Sequence, residues 1–183
     1  MNNRVKRIAL ALAALPCAAL ATPTITFQGE VTDQTCKVEI NGQSNSVVML
    51  PTVSTQEFGA TLANGQTAGV TPFTVSVSDC TAPAADLNIK TVFLGYDVDS
   101  ATGVLGNRAT QNRAKGYGIQ LSQATDGSNP VKLNGPTPVE GLVLAKDATA
   151  ASVDFSAQYY VLDAAAAKAG KITAVAEYTL SYF

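Results

Sequence analysis

The sequence contains neither histidine nor tryptophan, and only 3 of its 183 residues are cysteine. The absence of histidine removes the commonest general base and the usual partner of a serine or cysteine nucleophile. It also leaves the cysteines without the histidine ligands that an ordinary zinc site would combine with them. These absences argue against the common hydrolases and against a zinc centre.

Two short motifs suggest ligand binding, but the residues around them lack what such a site needs. Asp97 and Asp99 resemble the start of a calcium loop, but Ala101 and Arg108 stand where such a loop needs oxygen ligands. Gly116-Tyr117-Gly118 is an isolated G-x-G with no helix behind it to bind a phosphate. A glycosidase built on two scattered carboxylates stays open, although no pair stands out. The sequence therefore predicts no enzyme activity, no cofactor and no metal.

Long hydrophobic runs are absent as well. The apolar run at residues 8–21 has 14 residues, fewer than the roughly 20 that cross a bilayer. Three basic residues precede it and it closes on Ala19-Leu20-Ala21, so residues 1–21 are predicted to be a secretory signal peptide. Cys17 would suit a lipoprotein signal, but Pro16 before it does not fit the small residue that a lipid-attachment site needs.

Basic runs are missing from the remainder. The whole chain has 12 basic and 14 acidic residues, for a net charge of −2. Removal of the signal peptide would leave 9 basic residues against 14 acidic ones, a net charge of about −5. Such a surface argues against nucleic acid and against an anionic membrane face as partners.

Cleavage after Ala21 would leave two cysteines, Cys36 and Cys80, in an oxidising compartment. A disulfide between them is the natural inference, and a metal site is the weaker alternative. The bridge would close a loop of about 45 residues, for which loop-closure entropy gives roughly 4 kcal/mol of stabilisation.

What the sequence does have is turn signals between short alternating runs. Asn-Gly and Asp-Gly pairs and scattered prolines punctuate the chain throughout. Between them we predict strands at residues 47–50, 73–78, 87–94, 116–122, 142–145, 153–159 and 172–182. Only residues 164–169 look helical, and they are predicted to form a single turn. The pattern predicts one all-β domain, a sandwich of immunoglobulin type.

The two ends of the mature chain alternate most regularly. Near the N-terminus an almost wholly polar set of residues alternates with Pro23, Ile25, Phe27, Gly29 and Val31. At the C-terminus one face of the predicted strand comprises Ile172, Ala174, Ala176, Tyr178, Leu180 and Tyr182. A last strand with one apolar face needs neighbours on both edges, because unpaired backbone groups invite pairing with another chain. Glycine among large residues would allow close approach where a receiving groove is shallow.

These features resemble the structural subunits of chaperone–usher pili, the type 1 fimbrial pilin family. The resemblance rests on Gly170, the fourteenth residue from the end, on the alternating strand after it, on the penultimate Tyr182 and on the two cysteines. Cys36 follows the N-terminal alternating segment, and Cys80 ends TPFTVSVSDC, which is similar to a strand motif of such subunits. The stretches AKGYGIQLS and DFSAQYYVLDAAAAKAGKITA are also similar to pilin segments.

The resemblance implies an incomplete immunoglobulin-like sandwich that lacks its last strand. A periplasmic chaperone would fill the resulting groove, and at an outer-membrane usher a donor strand from another chain would replace it. The implied product is a surface fibre, a fimbrium, made of this chain and neighbouring pilus subunits. A host surface receptor would be met through the assembled fibre.

The same resemblance implies domains and residue roles. Residues 1–21 would be the signal peptide, residues 22–34 the donor-strand extension and residues 35–183 the pilin domain. The donor residues would be Pro23, Ile25, Phe27, Gly29 and Val31. The acceptor groove and the surface that the chaperone recognises would comprise Gly170, Ile172, Ala174, Ala176, Tyr178, Leu180, Tyr182 and Phe183.

Two alternatives stay open. Ordinary first and last strands of a closed sandwich would instead suit a secreted carbohydrate-binding module. Only three residues, Thr22 to Thr24, precede the clear N-terminal strand. This short lead leaves open whether the chain is a major shaft subunit or a minor adaptor.

Overall fold

The computed structural model of the chain describes residues 31–182. The predicted signal peptide, the predicted donor residues Pro23, Ile25, Phe27 and Gly29, and the terminal Phe183 lie outside the described residues. The strands within them are β1 (Lys37–Ile40), β2 (Thr67–Ser78), β3 (Leu87–Gly95), β4 (Tyr117–Ser122), β5 (Pro130–Val131), β6 (Thr137–Leu144), β7 (Ala151–Val161) and β8 (Ala176–Ser181). A 3₁₀-helix spans Thr55–Phe58. The described part contains no helix long and apolar enough to cross a membrane.

The strands form two antiparallel sheets. One has the order β1-β2-β7-β4-β5, and the other has the order β6-β3-β8. Strand β8 pairs with β3 from Ala176↔Gly95 to Ser181↔Lys90 and lies at the edge of its sheet. The prediction of an all-β sandwich is confirmed.

Aromatic packing between the sheets forms the centre of the core. Phe73 and Phe155 of the larger sheet stack with ring centroids 5.8 Å apart. Phe93 of the smaller sheet meets Phe155 edge-on at 5.5 Å. All three side chains are buried, which is the expected fate of the inward positions of alternating strands.

Most predicted strands lie within or overlap observed ones, but the strand predicted at residues 47–50 does not form. Residues 47–50 are extended yet belong to neither sheet. The single turn predicted at residues 164–169 is confirmed, with one hydrogen bond from the Ala167 amide to the Ala164 carbonyl and no longer helix. Alanine favours helix, but a segment this short leaves helix nucleation uncompensated.

The predicted disulfide between Cys36 and Cys80 is confirmed, with the Cα atoms 4.2 Å apart. Cys36 precedes β1 and Cys80 follows β2, and these strands pair from Lys37↔Ser78 onward. The bridge therefore joins the two strands at one end of the larger sheet.

Replacement of both Cys36 and Cys80 by serine should lower the free energy of unfolding by roughly 4 kcal/mol, because the unfolded chain regains the entropy of an open loop. Urea unfolding of the oxidised wild type and of the double variant measures the difference. The wild type in excess reductant is the matched control and should unfold like the variant. Equal midpoints for the oxidised wild type and the variant would contradict a stabilising role.

Candidate functional site

An open apolar groove runs along the sandwich beside the C-terminal segment. Its volume is about 550 Å³, with residues 46–50 on one flank and residues 172–176 with Tyr178 on the other. The floor is the hydrophobic core itself, contributed by Ile40, Phe73, Phe93, Leu105, Ile119, Leu121, Ala157 and Tyr159. The groove is therefore a place where the core is covered by neither sheet.

The first flank is an extended segment fastened at both ends. The Tyr178 hydroxyl donates a hydrogen bond to the Ser44 carbonyl at 2.9 Å, and the Tyr159 hydroxyl donates one to the Pro51 carbonyl at 3.1 Å. Burial raises the pKa of both tyrosines above the ordinary value, so both remain protonated donors at neutral pH. Between these fasteners Val48 and Leu50 pack against the core.

The second flank alternates in burial along its length. Ile172, Ala174, Ala176 and Tyr178 are half-buried against the core, and the residues between them are exposed. The backbone groups of the odd-numbered residues form hydrogen bonds on the side away from the groove. The Thr173 carbonyl accepts from the Arg108 amide at 2.7 Å, and the Val175 carbonyl accepts from the Tyr96 amide at 3.0 Å.

Backbone groups alternate in direction along an extended chain, so those of Ile172, Ala174 and Ala176 point toward the groove. Within residues 31–182 no strand pairs with that edge. The groove thus offers an apolar floor together with a row of backbone donors and acceptors.

One buried side chain positions the start of this flank. The Asn107 amide nitrogen donates to the carbonyls of Ala114 and Lys171 at 2.9 and 2.8 Å. Its oxygen accepts from the amides of Ala109 and Thr173 at 2.9 and 3.1 Å. This side chain is 4% exposed, and together with backbone bonds to Arg108, Asn112 and Ala114 it supplies hydrogen-bond partners to residues 171–173, which belong to neither sheet. These bonds also explain why β8 starts only at Ala176, although the alternation predicted a strand from residue 172.

Gly170 is required by close backbone approach. A Cβ atom built on it would lie 2.7 Å from the Ala114 backbone nitrogen, closer than real Cβ contacts allow. Glycine at this position lets the chain pass against residues 112–114 and enter the second flank.

The structure divides the predicted acceptor residues into two groups. Ile172, Ala174, Ala176 and Tyr178 line the groove. Leu180 and Tyr182 instead pack against a neighbouring cluster that includes Cys80 and Ile89. Of the predicted donor residues only Val31 is described, and it is 98% exposed.

Sequence reasoning missed the first flank and Asn107. The run Val47-Val48-Met49-Leu50 could have indicated this flank, because it is apolar throughout. A half-buried strand of a sandwich would instead alternate apolar and polar residues. Here Val47 and Met49 are 74% and 78% exposed, while Val48 and Leu50 face inward. No sequence signal distinguishes Asn107 from the many asparagines of turns.

The groove has no chemistry for catalysis. Its lining contains no acidic or basic side chain. Among residues 31–182 no cluster of three or more metal-ligating side chains exists. Asp97 instead pairs with Arg108 at 2.7 Å, and Asp99 accepts from the Thr102 hydroxyl at 2.7 Å. What the groove can bind is an extended peptide with alternating apolar side chains.

Comparisons with known proteins agree with this geometry. A sequence profile of the family described as "Fimbrial protein" matches residues 25–183. The "Major fimbrial subunit SMF-1" of Stenotrophomonas maltophilia strain K279a is 38% identical, and the match covers 93% of this chain and 99% of that protein. The "F17 fimbrial protein" of Escherichia coli is 35% identical, with 86% of each chain covered.

The fold is also shared with a subunit in a solved structure of a chaperone–usher pilus. The TM-score is 0.59 at 19% identity, with 92% of this chain and 100% of that chain covered. At this identity the likeness establishes the sandwich architecture.

Replacement of Asn107 by alanine should lower the free energy of unfolding by roughly 3 kcal/mol, because buried backbone groups lose their partners. The Thr173 amide should exchange its hydrogen faster by more than this global loss accounts for. Hydrogen exchange of the full chain, followed residue by residue, measures both effects. Gln111→Ala, at an exposed position of the same loop, is the control and should change neither. Unchanged exchange at Thr173 in the Asn107 variant would contradict the positioning role.

Proposed function

This chain belongs to the fimbrial protein family and is a structural subunit of a fimbria, and we propose that it polymerises by accepting a strand from another subunit in its open groove. The family consists of structural proteins of surface fibres and not of enzymes. The single observation that carries the proposal is the uncovered stretch of core between residues 46–50 and residues 172–178.

The length of the groove fits the N-terminal segment. Seven extended residues, such as 172–178, span about 23 Å. The alternating positions Ile25, Phe27, Gly29 and Val31 occupy a stretch of the same length. Their side chains would enter the groove while the polar residues between them face water.

Exposure of Val31 supports a donor role for residues 22–34. A valine that is 98% exposed contributes nothing to the core of its own sandwich. Burial of a valine side chain is worth about 1.5 kcal/mol or more, so the segment gains by binding elsewhere.

The direction of the chain favours donation between subunits. Cys36 packs in the cluster that also contacts Leu180, at the far end of β8 from Ile172. The extension of the same subunit would therefore run parallel to residues 172–180. An extension from a different subunit is free to pair antiparallel, which is the more stable arrangement.

An exposed core also suggests how the subunit reaches the fibre. A signal peptide at residues 1–21 would send it to the periplasm, and a chaperone there would cover the groove until assembly at the usher. The C-terminal Phe183 carboxylate would bind basic residues of that chaperone. The carbohydrate-binding alternative requires a closed sandwich, and it is disfavoured because none of the described strands pairs with the outer edge of β8.

Replacement of Ala174 by phenylalanine should block assembly, because a large side chain would fill the groove from its flank. The fraction of full-length chain recovered as fibres, measured by sedimentation and electron microscopy, should fall about tenfold or more, since a strand that cannot seat loses several kcal/mol of apolar burial.

Val143→Phe is the matched control, because this side chain lies on β6 of the same sheet as β8, outside the groove lining, and is already 45% exposed. This variant should assemble like the wild type. A melting curve for each variant shows whether it is folded. Equal assembly by a folded Ala174 variant would refute the acceptor role of the groove.

A further inference from the structure

We propose that successive copies of this chain also meet end to end, with a positively charged end of one sandwich against a negatively charged end of the next. This inference rests on the proposed strand donation and adds a second contact to it. The partner is a second copy of the same chain, and its charge pattern is what recognises this surface.

The positive end is formed by four exposed side chains, Arg113, Lys115, Lys168 and Lys171. Two backbone bridges, Arg113↔Lys171 and Lys115↔Lys168, bring them together beside the start of the groove flank. No ion pair joins any of the four to a residue within 31–182. Four like charges so placed repel one another, and an external anionic group would relieve part of this repulsion.

The carboxylates at this end do not outweigh the cations. Asp97 is paired with Arg108 at 2.7 Å. Asp99 accepts from Thr102, Asp163 from the amides of Ala165 and Ala166, and Glu57 from the amide of Ser54. Arg108 is shared between Asp97 and the Tyr96–Glu177 pair, since Tyr96 donates its hydroxyl hydrogen to Glu177 and Arg108 stacks on the Tyr96 ring. These carboxylates thus have partners within residues 31–182, whereas the four cations of the positive end form no ion pair there.

The opposite end of the sandwich has the opposite sign. Its exposed acidic side chains are Asp33, Asp79, Asp86 and Asp147, against the two cations Lys37 and Lys146. Lys37 pairs with Asp79 at 2.6 Å, and the Asp86 carboxylate accepts from the Lys146 amide at 2.8 Å. The disulfide and the bond from the Cys80 amide to the Thr149 carbonyl hold this end together.

The two ends are too far apart to neutralise each other within one subunit. Strand β7 begins at the negative end and ends near the positive one. Its 11 residues span about 36 Å, several times the screening length of about 8 Å at physiological salt. A contact between the two charges therefore requires two copies.

The direction of strand donation brings opposite charges together. The N-terminal extension leaves the sandwich at Cys36, on the negative end. If it pairs antiparallel with the neighbour's residues 172–180, its last residues lie beside the neighbour's Lys171, on the positive end. Parallel pairing would place two negative ends together. Charge thus favours the same direction as backbone pairing and should accelerate correct association.

The test uses the full-length chain and three charge variants. Lys168→Glu with Lys171→Glu reverses the positive end. Asp33→Lys with Asp147→Asn reverses or removes charge at the negative end; asparagine suits position 147 because its φ is +61°. The third variant combines all four changes. Lys132→Glu, an exposed position beside edge strand β5, is the matched control for single charge reversals.

Fibre formation is followed by light scattering in 50 mM salt and in 1 M salt. At 50 mM salt each two-site variant should assemble about tenfold more slowly than the wild type, and the combined variant should recover most of that rate. At 1 M salt, where the screening length is about 3 Å, the differences should vanish. Lys132→Glu should assemble like the wild type. Unchanged rates, or a combined variant as slow as its parents, would overturn the end-to-end contact.

A second readout separates this inference from the proposed function. A synthetic peptide of residues 22–31 carries the donor strand without Asp33 and the rest of the sandwich, so it should raise the melting temperature of wild type and Lys168/Lys171 variant equally. Equal shifts with unequal fibre rates support the end contact. Equal shifts with equal fibre rates overturn the end contact but leave strand donation intact. Absence of any shift in the folded wild type would overturn strand donation and this inference with it.

Discussion

The structure depends on one interaction that residues 31–182 do not supply, a strand that would cover the core between residues 46–50 and residues 172–178. Everything else in the two sheets is ordinary for a β-sandwich, with aromatic residues interlocked across the sheets and a disulfide at one end. An uncovered core is costly in water because apolar surface there is worth about 25 cal/mol per Å² when buried. Under the proposed strand donation, a strand from another subunit relieves this cost, and polymerisation follows from that need.

The groove can accept a strand quickly only if both of its flanks are already in place. The hydroxyls of Tyr159 and Tyr178 fix the first flank by donating hydrogen bonds to the carbonyls of Pro51 and Ser44. The side chain of Asn107 holds the start of the second flank. Gly170 lets the start of the second flank approach residues 112–114. Such preorganisation lowers the entropy lost on binding, since only the incoming strand has to be ordered. Under the proposed strand donation, the side chains that build the flanks are therefore as important for assembly as those that would touch the donor strand.

The sequence was sufficient for the architecture and for half of the groove. Alternation at residues 73–78 and 153–159 predicted strands that the structure contains. Alternation after Gly170 identified the side chains that the second flank turns toward the groove. It overestimated the length of β8, because a period of two reports which residues face inward and not which backbone partners they have. The first flank was predicted only as an ordinary strand, because residues 47–50 are apolar on both faces. Asn107 was not predicted, because it acts through a hydrogen bond to Lys171, 64 residues away. Such long-range bonds leave no local pattern in a sequence.

Strand donation requires that the donated strand pair with the inner edge of residues 172–180. Residue-by-residue hydrogen exchange of the soluble subunit and of assembled fibres tests it most directly. Strand donation predicts that the amides of Ile172, Ala174, Ala176 and Tyr178 become strongly protected in the fibre. The amides of Thr173, Val175 and Glu177, which already face Asn107 and β3, should change far less. Equal protection of these even-numbered amides in subunit and fibre would contradict the claim.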